Sequence, residues 1–198
     1  MASAKRPDKT WYLILVGAVS LLLISSLIAL QPYGTPLNRV IRGAAMMGYL
    51  ATFLAIVSSA YMRQMARVFG RPFIRVHHIL SVTGLVLLTL HPLGVALDSA
   101  TLRVFLPRFD SLPVFLQLGG RPAWYFIVAA SLAAVLRKTF KNWRVVHFLN
   151  YVAFLLATVH ANMLGTDLQH AIVKAISVAM ALVIVAIFIQ KRLQARRR

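Results

Sequence analysis

The stretch "RVHHILSVTGLVLLTLHPLGVAL" (Arg75–Leu97) decides the fold class, because it is almost wholly apolar over the length of a membrane span. About 20 residues of α-helix, each rising ~1.5 Å, cross the hydrocarbon core of a bilayer. The stretch nevertheless contains His77, His78 and His91. A histidine inside a span is energetically costly, so its presence there marks a pathway or a site.

A second stretch of the same kind, "WRVVHFLNYVAFLLATVHANML" (Trp143–Leu164), contains His147 and His160. The whole chain agrees with a membrane interpretation, since 60% of its 198 residues are hydrophobic and only 13% are charged. A soluble domain of this size could not bury so much apolar surface. The absence of cysteine from the sequence excludes disulfides, thiolate metal sites and cysteine catalysis.

The formal net charge of +18 is carried by short clusters of Lys and Arg between the apolar runs. Such a distribution is typical of loops beside anionic lipid headgroups. It predicts membrane lipid, and no nucleic acid, as the partner of these basic residues.

Six apolar runs predict an all-α integral membrane protein, a bundle of six transmembrane helices. The runs are Trp11–Leu30, Ala44–Tyr61, His78–Val95, Trp124–Leu136, Val145–Met163 and Ala171–Ile189. The first run is too long for a secretory signal and no small-residue cleavage site follows it, so we expect a retained helix. The connection from about Asp98 to Arg121, rich in Pro, Gly and aromatic residues, predicts a structured cap or short interfacial helix.

The charges of the loops orient this bundle. Sixteen of the 22 Lys and Arg residues flank the runs on the side of the N-terminus. The opposite loops hold Arg39, Arg42, Arg103, Arg108 and Arg121. The positive-inside rule therefore places both termini of a multi-pass cell-membrane protein in the cytoplasm. The predicted organisation is a cytoplasmic tail (residues 1–10), a six-helix domain (11–190) and a basic cytoplasmic tail (191–198).

In this topology the third and fifth runs cross in the same direction and carry histidines at matching depths. His77 and His91 are separated by about 21 Å along a helix axis, and His147 and His160 by about 20 Å. Each leaflet thus receives one imidazole from each helix. Two six-coordinate ions would use all four side chains, and haem iron suits this best, because the macrocycle leaves only two axial positions for histidine. A helical bundle would enclose the two macrocycles.

Rotational phase supports one pair of positions better than the other. Fourteen residues at ~100° each end about 40° short of four turns, so His77 and His91 share a face. His78 lies about 140° away and is predicted to be a neighbouring or interfacial residue. The 13-residue interval from His147 to His160 also places the two side chains about 140° apart on an ideal helix. Both can act as ligands only with a local distortion of the helix or a different approach of the ring.

Three further residues are candidates for contact with a cofactor. Gly84, midway between His77 and His91, would let a flat macrocycle or a neighbouring helix approach the backbone closely. Arg75 and Arg144 precede the inner histidines by two or three residues. They either pair with haem propionates or belong to the positive flank, and the sequence leaves both interpretations open.

The stretches "VHHILSVTGLVLLTLHPLGVAL" and "WRVVHFLNYVAFLLATVHANMLGTDL" resemble the third and fifth helices of the ferric reductase-like transmembrane domain family. That superfamily includes ferric reductases, NADPH oxidases and the haem subunit of the bacterial methionine sulfoxide reductase system. The resemblance implies six helices around two stacked b-type haems, with His77 paired with His147 inside and His91 with His160 outside. It also implies electron transfer from a cytoplasmic flavin to an external acceptor such as ferric iron, oxygen or a partner reductase.

The chain departs from the larger members of that superfamily. It ends in "KRLQARRR" and has no G-x-G-x-x-G after a strand, so we do not expect it to take hydride from NAD(P)H itself. The expected donor is a separate cytoplasmic flavoprotein reductase, which would carry the flavin, or a quinol. The sulfoxide reductase subunit is also a stand-alone bundle, but often has "RR" where this chain has His77 and His78.

Acid–base catalysis is not expected, and no catalytic residue is predicted. The acidic residues are Asp8, Asp98, Asp110 and Asp167, and none is expected to be buried in the middle of a span. The chain would serve as the electron-transfer component of an oxidoreductase. Two alternatives are a proton or metal-ion transporter that uses the histidines without haem, and an assembly subunit whose histidines brace the helices.

Overall fold

The computed structural model describes residues 11–29, 34–69 and 73–196 and, within these ranges, contains helices and no strand. The α-helices are α1 (Trp11–Ala29), α2 (Pro36–Ala60), α3 (Met62–Phe69), α4 (Ile74–Asp98), α5 (Leu112–Gln117), α6 (Gly120–Val135), α7 (Trp143–His147), α8 (Leu149–Leu164) and α9 (Ala171–Arg196). Two 3₁₀ helices cover Leu102–Phe105 and Thr166–Gln169.

The described part of the chain is all-helical, with four candidate membrane-spanning helices. These are α2, α4, the unit formed by α7 and α8, and α9, with 25, 25, 22 and 26 residues. Each exceeds the ~20 residues that the hydrocarbon core requires. The other two predicted spans form shorter apolar or mixed helices, α1 with 19 residues and α6 with 16.

Helix α2 begins eight residues before the predicted run. The side chain of Thr35 caps it by accepting a hydrogen bond from the Asn38 amide at 3.1 Å, and Pro36 occupies the first turn. The assignment of Arg39 and Arg42 to an outer loop was therefore wrong, because both lie within α2. The predicted cap between α4 and α6 does contain short helical segments.

Phe148 separates α7 from α8 and introduces a local distortion between His147 and His160. Its amide donates to the carbonyls of Arg144 at 3.2 Å and Val145 at 3.3 Å, and the Tyr151 amide donates to the Phe148 carbonyl at 3.0 Å. The bonds to Val145 and from Tyr151 span three residues, as in a 3₁₀ turn, which advances ~120° per residue instead of ~100°. Each residue in such a turn reduces the angular offset of about 140° between His147 and His160 by about 20°.

Close backbone contact between α2 and α4 places the histidines of α4 beside α2. A methyl group added at Gly84 would lie 2.7 Å from Thr52 Oγ1, and one added at Gly94 would lie 2.5 Å from Ile41 Cγ1. Only glycine permits such an approach at these positions. The adjoining core contains Phe154, which is 1% exposed and stacks on Tyr49 with 4.5 Å between ring centroids. Phe154 is thus a core residue of the helix packing.

Candidate histidine site

His77 and His147 line a shared cavity of about 90 Å³ at the end of the bundle where α4 and α7 begin. The walls come from α2, α4, α6 and the α7–α8 unit. Several polar side chains also line it: Thr52, Ser59, Ser81, Ser131 and Asn150. The two histidines predicted to form the inner pair thus line one continuous cavity, which they reach from different helices.

His91 and His160 form the second level, near the opposite ends of α4 and α8. Their Nδ1 atoms contact main-chain carbonyls of different helices, Ile41 of α2 for His91 and Gln117 of α5 for His160. The ring of His160 also lies against the start of α6, since a methyl group added at Gly120 would be 2.8 Å from His160 Nε2. Gly120, which no sequence pattern marks, leaves the space that this imidazole uses.

All four rings are held in the same way. In each case Nδ1 lies within hydrogen-bond distance of a main-chain carbonyl oxygen on another helix. The contacts are His77 with Ala55 at 3.0 Å, His91 with Ile41 at 3.3 Å, His147 with Ala130 at 3.0 Å and His160 with Gln117 at 2.7 Å. A carbonyl oxygen can only accept, so the contacts of His77, His91 and His160 require the proton on Nδ1. The Nδ1 atom of His147 also lies 3.4 Å from the amide nitrogen of Asn150, which can only donate, and the shorter contact with the Ala130 carbonyl at 3.0 Å favours the same tautomer.

The consequence is that the neutral form of each ring presents the lone pair of Nε2. Among the described residues, no hydrogen bond reaches any of these four Nε2 atoms, and no buried side-chain nitrogen or oxygen lacks a partner. Each Nε2 therefore borders accessible space. A histidine that donates from one ring nitrogen to a carbonyl and offers the other to a metal is the usual arrangement of an iron or zinc ligand.

The donor set fits haem, which needs two axial nitrogens for each iron. Within the described ranges, no group of three or more His, Cys, Asp or Glu side chains is arranged to hold a metal ion. The histidine pairs therefore suit haem iron better than a bare metal ion, which would depend on protein ligands alone. A cavity of 90 Å³ is smaller than a macrocycle, because sites for drug-sized ligands have ~300–1,000 Å³. The helices around the inner level must separate to admit one.

The other predicted residues have different surroundings. Of the two roles predicted for Gly84, the structure shows the approach of a neighbouring helix. Arg75 and Arg144 are exposed and do not line the inner cavity, and the Arg144 guanidinium lies 5.0 Å from the centroid of the Trp143 ring. His78 is exposed, whereas His77 faces the cavity. This arrangement distinguishes the two adjacent histidines.

A buried ion pair lies at the outer level. Arg42 Nε donates to Asp167 Oδ2 at 2.8 Å and its Nη2 contacts Asp167 Oδ1, so the pairing is bidentate. The two side chains are 12% and 5% exposed. Asp167 lies in the 3₁₀ helix that follows α8, seven residues after His160, and Arg42 adjoins Ile41, the partner of His91. The pair therefore ties together the two segments that hold the outer histidines.

A second polar contact joins α2, α8 and α9. The hydroxyls of Tyr49 and Thr158 are 2.7 Å apart, and Asn162 Nδ2 donates to Ser177 Oγ at 2.9 Å. These residues lie on the side of α8 that faces α2 and α9. They fix the orientation of α8, and with it the direction in which His160 projects.

Residues 37–167 match the family described as "Domain of unknown function (DUF8596)". The matched segment is more than half of the chain. The chain belongs to the DUF8596 family. No curated protein and no solved structure matches the chain.

The DUF8596 segment extends from the first turn of α2 to the 3₁₀ helix after α8 and contains every residue of the candidate site. All four histidines and their carbonyl partners fall within it. Arg42 lies near its start and Asp167 is its last residue. The two ends of the DUF8596 segment are thus in direct contact through a buried ion pair, while α1 and α9 lie outside it.

Proposed function

We propose that the chain is a di-haem b-type membrane protein that moves electrons across the bilayer, from a donor on the cytoplasmic side to an external acceptor. His77 and His147 would hold the inner haem, and His91 and His160 the outer haem. The observation that carries the proposal is the common state of the four rings, each donating Nδ1–H to a carbonyl and offering Nε2. Their two levels are about 20 Å apart along the helices.

The haem, when bound, supplies reversible one-electron chemistry at iron. The contribution of this chain is to hold the rings. The carbonyls of Ala55, Ala130, Ile41 and Gln117 fix ring rotation and make Nε2 more basic. Helices α1 and α6 would complete a six-span bundle that excludes water, as in the ferric reductase-like family that the two histidine stretches resemble.

The distribution of charge supports a cytoplasmic location for the His77 end. Exposed basic residues surround it, whereas the acidic residues of the described ranges lie elsewhere: Asp98 is the last residue of α4, Asp110 follows that helix, and Asp167 pairs with Arg42 near the start of α2. The end with the excess of Lys and Arg is expected to face the cytoplasm. A donor flavoprotein with an acidic surface would dock at this basic end of the bundle. A quinol is the alternative donor.

The direct test is the absorption spectrum of the purified protein. We expect a b-type spectrum after reduction with dithionite, and about two haems per chain, because each iron uses two of the four histidines. A colourless preparation without iron, from cells that supply haem to another membrane cytochrome, would contradict the proposal.

Gly120→Ala is expected to disturb the outer haem selectively. The added methyl group would lie 2.7 Å from the His160 ring and must displace it, whereas the inner pair is one leaflet away. The expected result is loss of one low-spin haem signal in electron paramagnetic resonance, with the other unchanged. Gly17→Ala is the matched control, since nothing lies within 4 Å of an added methyl group there. Equal spectra for the two variants would contradict the assignment of His160.

The size of the inner cavity favours a second candidate, a proton or metal-ion transporter. A space of about 90 Å³ is large enough for several waters, and its hydroxyl and amide lining suits a hydrated ion. Proteoliposomes separate the two functions. Metal-dependent or proton flux that His77→Ala abolishes, in protein without a Soret band, would favour transport over electron transfer.

A further inference from the structure

A large apolar groove lies on the opposite side of α2 from the helix α9. Its volume is about 1080 Å³, and its walls come from α1, α2, α4 and the turn that follows α4. Nearly all of the lining side chains are aliphatic, and Leu37, Val40, Leu90 and Leu97 are each more than 40% exposed. Such a concave surface needs an apolar occupant, because no water is present in the hydrocarbon core of a bilayer to fill it.

The depth of the groove corresponds to one leaflet. Along α4 its lining extends from Leu87 to Leu97, which is about 15 Å at ~1.5 Å per residue. The hydrocarbon core of a whole bilayer is ~30 Å thick. The shallow end coincides with the first turn of α2 and the last turn of α4, where the headgroup region of a bilayer would begin. The apolar portion of the occupant must therefore be as long as a single leaflet is deep.

The charge at the shallow end is positive. Arg39, in the first turn of α2, is the charged residue among those that line the groove, and Ser25 and Thr101 are the other polar ones. Arg39 is exposed and has no ion-pair partner within the described part of the chain. A basic residue near the membrane surface attracts an anionic headgroup with about 1 kcal/mol.

From these observations we infer that the groove binds one phospholipid with an anionic headgroup, its acyl chains between α1, α2 and α4 and its phosphate at Arg39. Ile41 lines this groove and its carbonyl also holds His91. The lipid would thus pack against the wall that positions the outer histidine. Lipid binding itself does not depend on whether the histidines hold haem.

Native mass spectrometry of the detergent-solubilised full chain tests this inference. The probes are dioleoyl phosphatidylglycerol and dioleoyl phosphatidylcholine, which differ in headgroup charge but not in acyl chains. We expect one phosphatidylglycerol to be retained with about fivefold higher affinity than phosphatidylcholine, the ratio that one basic contact provides. Equal affinities would overturn the inference.

Two variants locate the site. Arg39→Gln should abolish the preference for phosphatidylglycerol, whereas Arg103→Gln, an exposed arginine at the same end outside the groove, should retain it. Val40→Trp should reduce retention of both lipids by filling the groove. Loss of the preference in both arginine variants, or unchanged retention in Val40→Trp, would overturn the assignment. The helical circular dichroism of each variant shows that it is folded.

Discussion

His91→Ala and His160→Ala are each expected to remove the same low-spin haem signal and to lower the haem content from about two to about one per chain. Each iron of the proposed site would be held by one ring from α4 and one from the α7–α8 unit, so either substitution would remove one of its two histidines. The same reasoning predicts that His77→Ala and His147→Ala remove the other signal. Electron paramagnetic resonance and the pyridine haemochromogen assay measure the two quantities.

The control for this set is His78→Ala. His78 adjoins His77 in the sequence but is exposed and lies outside the inner cavity, so its removal should leave both haem signals. The double variant His91→Ala/His160→Ala should lose no more haem than either single variant, because both act on one site. Loss of different signals in the two single variants would contradict the pairing by level.

Asp167→Asn is expected to destabilise the protein by about 3–5 kcal/mol, the usual cost of leaving one partner of a buried ion pair uncompensated. The side chain of Arg42 is only 12% exposed, so little water is available to replace the lost carboxylate. Replacing both partners, in Arg42→Met/Asp167→Leu, should recover most of this loss, because an apolar pair leaves no buried charge. Reversible unfolding in mixed micelles measures the free energies.

The exposed pair Arg108–Asp110 is the matched control for this prediction. Its side chains are 57% and 56% exposed and the contact distance is 2.6 Å. The hydrogen bond from Arg108 lowers the pKa of the Asp110 carboxyl, so both groups are charged at neutral pH. Asp110→Asn should nevertheless change stability little, since water solvates the remaining arginine. An equally large effect in both variants would mean that burial of Arg42 is not the cause.

The helical class and the four longest candidate spans follow from hydropathy and length alone, because a helix that crosses the hydrocarbon core needs about 20 predominantly apolar residues. The helix starts follow less well. Arg39 and Arg42 made the beginning of α2 look like a loop, since counting charges does not reveal that Asp167 neutralises one of them from 125 residues away. Pairs so distant in sequence leave no local pattern.

The candidate histidine site was also only partly predictable from the sequence. Helical phase indicated that His147 and His160 need a distortion between them, and the structure has one at Phe148. The partners of the four Nδ1 atoms are main-chain carbonyls, which every residue type possesses, so no sequence pattern could identify them. The importance of Gly120 was also hidden, because the contact that it permits comes from another helix.

The antiparallel contact between α2 and α4 has a further consequence for the distance between the two histidine levels. Ile41 and Ala55, whose carbonyls hold His91 and His77, are separated by the same 14 positions as the two histidines themselves. Inserting one residue into either helix would rotate one end by about 100° and detach one ring from its acceptor. The register of α2 against α4 thus fixes the distance between the two histidine levels. Residues at the ends of this segment can be substituted without changing that distance, whereas an insertion or deletion between them would change it.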